Sequence, residues 1–430
     1  MKLKIIVLLF FTPGIFAQNL DLETCMKMAD TANLSIRNSR LDIEINQRER
    51  KVYEAARMPH LSFSGDYKYN AIIPGQVVPG QFFGGPAGTF STVQFGVPFN
   101  LSNTIQLTQV LYNPQVNYGL AALRINNQIT QVQQRITEQN IKYQVAETYF
   151  QCQAVRKQLD FIAKNLANME KSIGNITAME KQQMVVQTEV DKLQIGRLGL
   201  LNNQQSLLAT QEQLETYLKI LVGLSLDATI NLQADDLVEQ LILVEQSNNN
   251  YPELELLATQ QKMNVEERKG TKMAYLPSLS FYAAYNYNYN MKPSDDFRVG
   301  IEGAFIGLKL DWTLFDGLEK AHKLKVNALE AEKIANQQEF VKQQLDMQAA
   351  QAKSQIKVQT SALEVTKEQL RLADKIYQHT VLKFEQGTVS SNDLILAETN
   401  LQQAQTAVVS AYVQLRQAEL SYLKTIGNLK

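Results

Sequence analysis

The side chains that most often do chemistry are scarce and scattered in this chain. Histidine occurs at His60, His322 and His379, and cysteine at Cys25 and Cys152. The histidines lack the spacing of a metal site. Two cysteines cannot build a disulfide scaffold or a multi-cysteine metal centre. Neither a phosphate-binding loop nor a nucleophile elbow is present. No catalytic residue, cofactor or metal is assigned, and the chain reads as a non-enzyme. Asp235-Asp236 reads as a solvated pair and Cys152 as a packing residue. Two carboxylates, Glu189 and Asp393, stand near helix starts, where the helix dipole stabilises an acid. With 42 Lys and Arg against 43 Asp and Glu, no basic surplus points to nucleic acid.

The elements that would carry these residues are long. Only 20 Gly and 10 Pro interrupt 430 residues. Residues 1–17 read as a secretory signal peptide: Lys2 and Lys4, an apolar stretch from Ile5 to Phe11, then Ala17 at the cut. That stretch is too short to span a bilayer as a helix.

Beyond it the chain repeats itself. Glu49-Arg50-Lys51 recurs as Glu267-Arg268-Lys269, and Pro59, Leu61, Phe63, Tyr67 and Tyr69 recur as Pro277, Leu279, Phe281, Tyr285 and Tyr287. A duplicated, pseudo-symmetric architecture is expected, with a first repeat over 18–223, an equatorial linker over 224–250 and a second repeat over 251–430. Each repeat reads helix, strand, loop, strand, long helix, turn, helix. Period-two alternation predicts strands over 60–73 and 92–111, and over 277–290 and 299–315. A phase switch near Phe305 predicts a bulge or bend there. Trp312 and the run Tyr282, Tyr285, Tyr287 and Tyr289 fit either ordinary packing or an interfacial aromatic girdle.

The helices carry heptads. The clearest is Leu394, Ala397, Leu401, Ala404, Val408, Ala411, Leu415, Ala418, Tyr422, with large and small residues alternating; such patterning means coiled-coil packing. Long helices are expected over 114–182 and 318–386, each about 100 Å at 1.5 Å per residue, and helices about half as long over 189–222 and 390–426.

Four strands cannot close a membrane barrel alone, since single-chain barrels begin at about eight strands, and open edges are not tolerated in lipid. A cyclic oligomer resolves this: three chains give twelve strands and a ring of helices. The expected fold class is therefore a mixed α/β membrane protein, four strands per chain contributing to a 12-stranded trimeric outer-membrane β-barrel, with a long coiled-coil helical barrel in the periplasm and a small equatorial collar. A soluble sandwich for the strands, and a non-conducting periplasmic coiled-coil scaffold for the whole, are the competing readings.

With the duplication and helix lengths in hand, the segment Phe384-Glu385-Gln386-Gly387-Thr388-Val389-Ser390-Ser391-Asn392-Asp393-Leu394-Ile395-Leu396-Ala397 resembles the TolC-like outer-membrane efflux protein family. The resemblance covers essentially all of the chain after the signal peptide. It implies an outer-membrane channel-tunnel of a tripartite efflux or type I secretion system, a passive duct from periplasm to exterior gated at its periplasmic helical tip. It also implies a homotrimer in outer-membrane lipid, docked on a periplasmic adaptor and an inner-membrane pump of RND or ABC type. In the family a Gly-Thr turn joins two periplasmic helices and an Asp six residues after the Gly lines the entrance; Gly387, Thr388 and Asp393 match. Glu189 takes the place of Asp393 in the first repeat, and Gln183-Met184 replaces Gly-Thr. The resemblance thus implies a pore constriction at Glu189 and Asp393, and an adaptor-docking tip at Gly387, Thr388, Gln183 and Met184. Leu396 and Val389 stand where the family's prototype has a second Asp and an Arg, which weakens the case for a double aspartate gate and an Arg latch. Rings of like carboxylates are expected to raise some of their pKa values.

Overall fold

The computed structural model describes residues 19–232 and 251–429. The leader read over 1–17, Asp235-Asp236 and most of the 224–250 linker lie outside them. The chain divides into two compact units. A sheet unit comprises Glu44–Gln128 and Thr259–Ala335; a helical unit comprises Met1–Ile43, Ile129–Ala258 and Asn336–Lys430.

In the sheet unit, β2 (His60–Tyr69), β5 (Phe99–Tyr112), β7 (Ser278–Lys292) and β8 (Phe297–Asp311) form one antiparallel sheet in the order β2-β5-β7-β8. The central β5–β7 pairing joins the two repeats, with Asn100 opposite Asn290 and Thr104 opposite Asn286. Directly opposed residues share a face. One face carries an amide ladder at its centre: Asn70 Nδ2 donates to Asn100 Oδ1 (2.8 Å), Asn100 Nδ2 to Asn290 Oδ1 (2.6 Å) and Ser102 Oγ to Asn288 Oδ1 (2.7 Å), flanked in the same rows by the Asp66–Lys68 ion pair on β2 and by Val299 and Ile301 on β8. The other carries Leu61, Leu107, Ala283 and Ile306 in one row and Phe63, Ile105, Tyr285 and Ala304 in the next. Leu61 and Ile306 are 74% and 78% exposed, so this apolar face is uncovered.

The expected strand over 92–111 is two strands. β4 (Phe90–Gln94) pairs with β3 (Gly75–Pro79) in a separate two-stranded sheet, and β5 begins at Phe99. Between them Gly96 takes a φ of 144° and Pro98 lacks an amide N–H. The bulge expected near Phe305 is absent. The β7–β8 register runs unbroken from Ser278 opposite Asp311 to Lys292 opposite Phe297. The hydrophobic phase changes face at Phe305–Ile306 without an inserted residue, which the sheet tolerates because apolar groups stand on both faces of β8. The irregularity falls instead between Val110 and Tyr112.

Helices α2 (Leu34–Ala55), α3 (Pro114–Lys181) and α5 (Pro252–Met273) meet closely beside the sheet. A Cβ on Gly119 would sit 2.3 Å from the Tyr53 ring, and one on Gly270 would sit 2.5 Å from the Tyr118 ring. Both glycines are seats for an aromatic ring.

In the helical unit, α1 (Leu22–Ala32) is separated from α2 by Asn33, where a single helix over this stretch was expected. The Asn33 side chain explains the break: its Oδ1 accepts from Ser35 N (2.9 Å) and its Nδ2 donates to the Leu221 carbonyl (2.8 Å). The remaining helices are α4 (Gln187–Val222), α6 (Glu319–Glu385) and α7 (Ser391–Thr425). Two-residue strands β1 (Asn19–Leu20) and β6 (Asn231–Leu232) pair in parallel. Cys25 and Cys152 are both buried in the main apolar cluster; burial pushes their thiols up to about 11 and about 12, making them poor nucleophiles.

The α7 heptad is buried as its periodicity requires: Leu394, Ala397, Leu401, Ala404, Val408, Ala411, Leu415 and Ala418. A second stripe is buried beside it, also seven residues apart: Ser391, Glu398, Gln405, Tyr412 and Glu419. Four of these polar groups have evident partners. Ser391 Oγ donates to Glu189 Oε2; Glu398 Oε1 accepts from Gln402 Nε2 at 3.2 Å; Gln405 and Asn165 exchange hydrogen bonds at 2.8 and 3.3 Å; Glu419 takes Arg416 at 2.6 Å. The Arg416 guanidinium also lies over the Tyr412 and Phe150 rings, at 5.1 and 5.6 Å.

Candidate functional site

Two helical turns in the helical unit carry every residue singled out for pore and tip. Their backbones repeat one another. After α3, Gln183 N donates to the Glu180 carbonyl (2.8 Å) and Met184 N to that of Met179 (3.0 Å). After α6, Gly387 N donates to Phe384 O (2.9 Å) and Thr388 N to Lys383 O (3.0 Å). This is one C-terminal capping motif used twice. It needs a left-handed residue, supplied by Gln183 (φ 60°) and Gly387 (φ 68°). Glycine takes that conformation freely and glutamine does not. Thr388 adds its hydroxyl, donating to the same Lys383 carbonyl at 2.9 Å. The exposed face of the first turn presents Met184 and Val186.

Beyond each turn the next helix starts with its acid. Ser390 caps α7, accepting from Asp393 N, while Asp393 Oδ2 accepts from Ser390 N (3.0 Å) and Ser390 Oγ (2.7 Å). That reciprocal box satisfies orphan donors of the first turn. The Ser390 hydroxyl, then its backbone N–H, hold the Asp393 carboxyl below the usual range. In α4, Glu189 pairs with Lys192 at 2.8 Å and accepts from Ser391 Oγ; those two contacts, Lys192 first, lower its pKa as well. Within one chain each acid is held down by its own donors; the rise expected above concerns rings of acids from three copies.

The two turns are joined. The Glu189–Ser391 hydrogen bond links the start of α4 to the start of α7, and Asn175 Nδ2 reaches Glu385 Oε1 at 3.3 Å. Glu189 and Ser391 are therefore in contact, while Asp393 turns back on Ser390. Just behind, Met169, Ile176, Val190, Leu193, Tyr377, Phe384 and Leu394 form an apolar cluster with Glu398 beside it. Glu398, 2% exposed, escaped the reading of the sequence because it flanks the heptad at a position that usually faces water.

The sheet unit supplies the other functional surface. Between Lys68 and Arg124 no residue is charged. A polar face centred on an amide ladder, opposite an uncovered apolar face, is the two-sided pattern of a lipid-facing, water-filled barrel wall. Among the described residues no helix is long and apolar enough to cross a membrane, and no group of His, Cys, Asp or Glu could hold a metal ion.

Comparison with known proteins agrees. The fold is that of outer-membrane channels. A structure of CusC, from a study of transmembrane channel formation, matches over 95% of this chain and 92% of its own, with a TM-score of 0.73 at 15% identity. The open state of MtrE from Neisseria gonorrhoeae matches over 95% and 89%, with a TM-score of 0.71 at 16% identity. VceC from Vibrio cholerae matches over 94% and 96%, with a TM-score of 0.68 at 12% identity. Residues 243–428 match the outer membrane efflux protein family. No curated protein sequence matches. Over those residues the chain is similar to that family, and the TolC-like resemblance holds for the fold of the whole chain.

Proposed function

We propose that three copies of this chain close a twelve-stranded barrel in the outer membrane of a Gram-negative bacterium. It serves as the passive exit duct of a tripartite efflux or type I secretion system. The observation that carries this is the β2-β5-β7-β8 sheet, uncovered on its apolar face and unpaired along the outer edges of β2 and β8 among the described residues. Backbone groups on such edges cannot be left unsatisfied in lipid; pairing β8 of one copy with β2 of the next satisfies all of them. The helices extend into the periplasm, and the chain does no catalysis. Energy comes from an inner-membrane pump reached through a periplasmic adaptor. The adaptor meets the exposed turns at Gln183, Met184, Gly387 and Thr388. Three Glu189 and three Asp393 ring the entrance, where carboxylates favour cations. The Glu189–Ser391 bond holds the two turns of one copy together at rest, and dilation of the tip separates them.

The test is the mass of the detergent-solubilised particle together with its conductance in planar bilayers. A particle of three chains that conducts is expected. A monomer without conductance rejects the duct and leaves the periplasmic scaffold.

A further inference from the structure

We infer that the hydrocarbon layer ends on the sheet between the Ala304 and Glu302 rows, so that Glu302 and the Tyr285 and Tyr287 hydroxyls lie among lipid headgroups and the rows beyond stand clear of the lipid tails. This rests on the membrane-barrel reading above.

Strand length sets the problem. β7 and β8 have 15 residues each, whereas a strand tilted across a bilayer uses about 9–11, so about four to six are surplus. Those residues must stand outside the tails at one end or the other. Charge decides which end. Take the face opposite the amide ladder, from the end where the strands join their helices. Its rows pair Leu279 with Leu310, Phe281 with Leu308, Ala283 with Ile306 and Tyr285 with Ala304; then come Tyr287 with Glu302, Tyr289 with Gly300 and Met291 with Arg298. Among the described residues, Glu302 and Arg298 are the only charges on this face of the four strands. Both fall in the last three rows. A charge that faces lipid costs most at mid-bilayer and little at the interface. Ending the tails at Glu302 leaves 278–286 of β7 and 303–311 of β8 to cross them, which is about nine residues each and within the required length. Carrying the tails to the end of the sheet would instead submerge Glu302.

The aromatic rings obey the same boundary. Tyr285, Tyr287, Tyr289, Tyr67 and Tyr69 share this face, each in the Ala304 row or beyond it. Two of them send their hydroxyls one row further from the apolar rows. The Tyr285 hydroxyl stands beside the Glu302 carboxyl. A Cβ on Gly300 would sit 2.7 Å from the Tyr287 hydroxyl, so that ring leans over the glycine. An interfacial tyrosine has this posture, with its ring in the apolar layer and its hydroxyl in the wet one. Tyr287 also stacks on Tyr289, with ring centres 6.4 Å apart. Tyr282 takes no part: it is level with Thr108 and Gly307, on the amide face. The run of tyrosines is thus divided, three toward lipid and one toward the lumen.

The test uses the full chain reconstituted in phosphatidylcholine vesicles, with a nitroxide on one introduced cysteine at a time: Glu302→Cys, Ile306→Cys or Leu308→Cys. Glu302→Cys removes the charge in question, so Tyr67→Cys, in the Gly300 row, is read beside it. Cys25 and Cys152 are buried, and wild-type protein treated with the label controls for them. Power saturation compares collisions with oxygen, which concentrates in the tails, and with a water-soluble nickel chelate. Ile306→Cys and Leu308→Cys are expected to favour oxygen several-fold, and Glu302→Cys and Tyr67→Cys to favour the chelate. Oxygen preference at Glu302→Cys or Tyr67→Cys, or chelate preference at Ile306→Cys but not Leu308→Cys, overturns the boundary and leaves the barrel in the membrane. Chelate preference at all four positions takes the sheet out of lipid and overturns the reading beneath it.

Discussion

The Tyr377 hydroxyl on α6 stands beside the Glu398 carboxyl on α7, inside the apolar cluster behind the two turns. Desolvation holds the Glu398 pKa above its ordinary value. Asp374 is the nearby acid that acts on Tyr377. A carboxyl with a raised folded pKa contributes stability at low pH, and that contribution is lost as pH rises through the folded pKa. Between neutral pH and the ordinary carboxylate range, the wild type is therefore expected to gain stability as pH falls. Glu398→Gln keeps the shape and an acceptor oxygen without the charge and is expected to flatten that slope, with the higher melting temperature of the two at neutral pH. Thermal unfolding of both proteins across this pH range checks it; parallel curves would show that Glu398 is not the group responsible.

Asn165 and Gln405 form a closed amide pair between α3 and α7. Changing either alone to Leu leaves a buried amide without its partner and is expected to cost about 1–3 kcal/mol. Changing both is expected to cost much less than the sum, because no unpaired polar group remains. A double-mutant cycle from denaturant unfolding measures the coupling.

Glu189 and Asp393 both have lowered pKa values, so they stay ionised as pH falls into the ordinary carboxylate range. Cation preference of the channel is expected to persist there and to drop in the Glu189→Gln, Asp393→Asn double variant. Reversal potentials under a salt gradient report this directly; the same value for variant and wild type would remove both acids from the pore.

Gly387 and Gln183 hold equivalent left-handed positions, at a cost of about 1–2 kcal/mol for a residue with a side chain. Gln183→Gly is expected to stabilise the chain by about 1 kcal/mol. Gly387→Val is expected to strain the second turn and abolish efflux in an efflux-deficient host while the trimer still assembles. Efflux that survives this change would separate the turn from docking.

Long elements were the most legible part of the sequence. The helices read over 114–182 and 318–386 end within one residue of those observed, because uninterrupted heptads and a breaking turn leave little choice. Strand positions were legible from alternation. Their sheet membership was not: Val93 and Phe95 alternate in phase with Phe99, and only Gly96 and Pro98 betray that the ladder changes partner. The Asn33 break was hidden because its cause, the Leu221 carbonyl, lies far away in sequence. At the tip, the family resemblance pointed to Asp393 but not to Ser391 or Glu398. Their signal was present as a second seven-residue series, Ser391, Glu398, Gln405, Tyr412, Glu419, running beside the apolar one. A helix packed on one side would leave that series wet; α7 buries both.

The unfinished edges of β2 and β8 also bear on biogenesis. On the proposed trimeric reading a lone copy has no stopping place in lipid, so entry into the bilayer and ring closure would occur as one concerted event. The yield of finished ducts is then steeper than linear in the supply of chains, and a cell making half as much protein would hold fewer than half as many ducts.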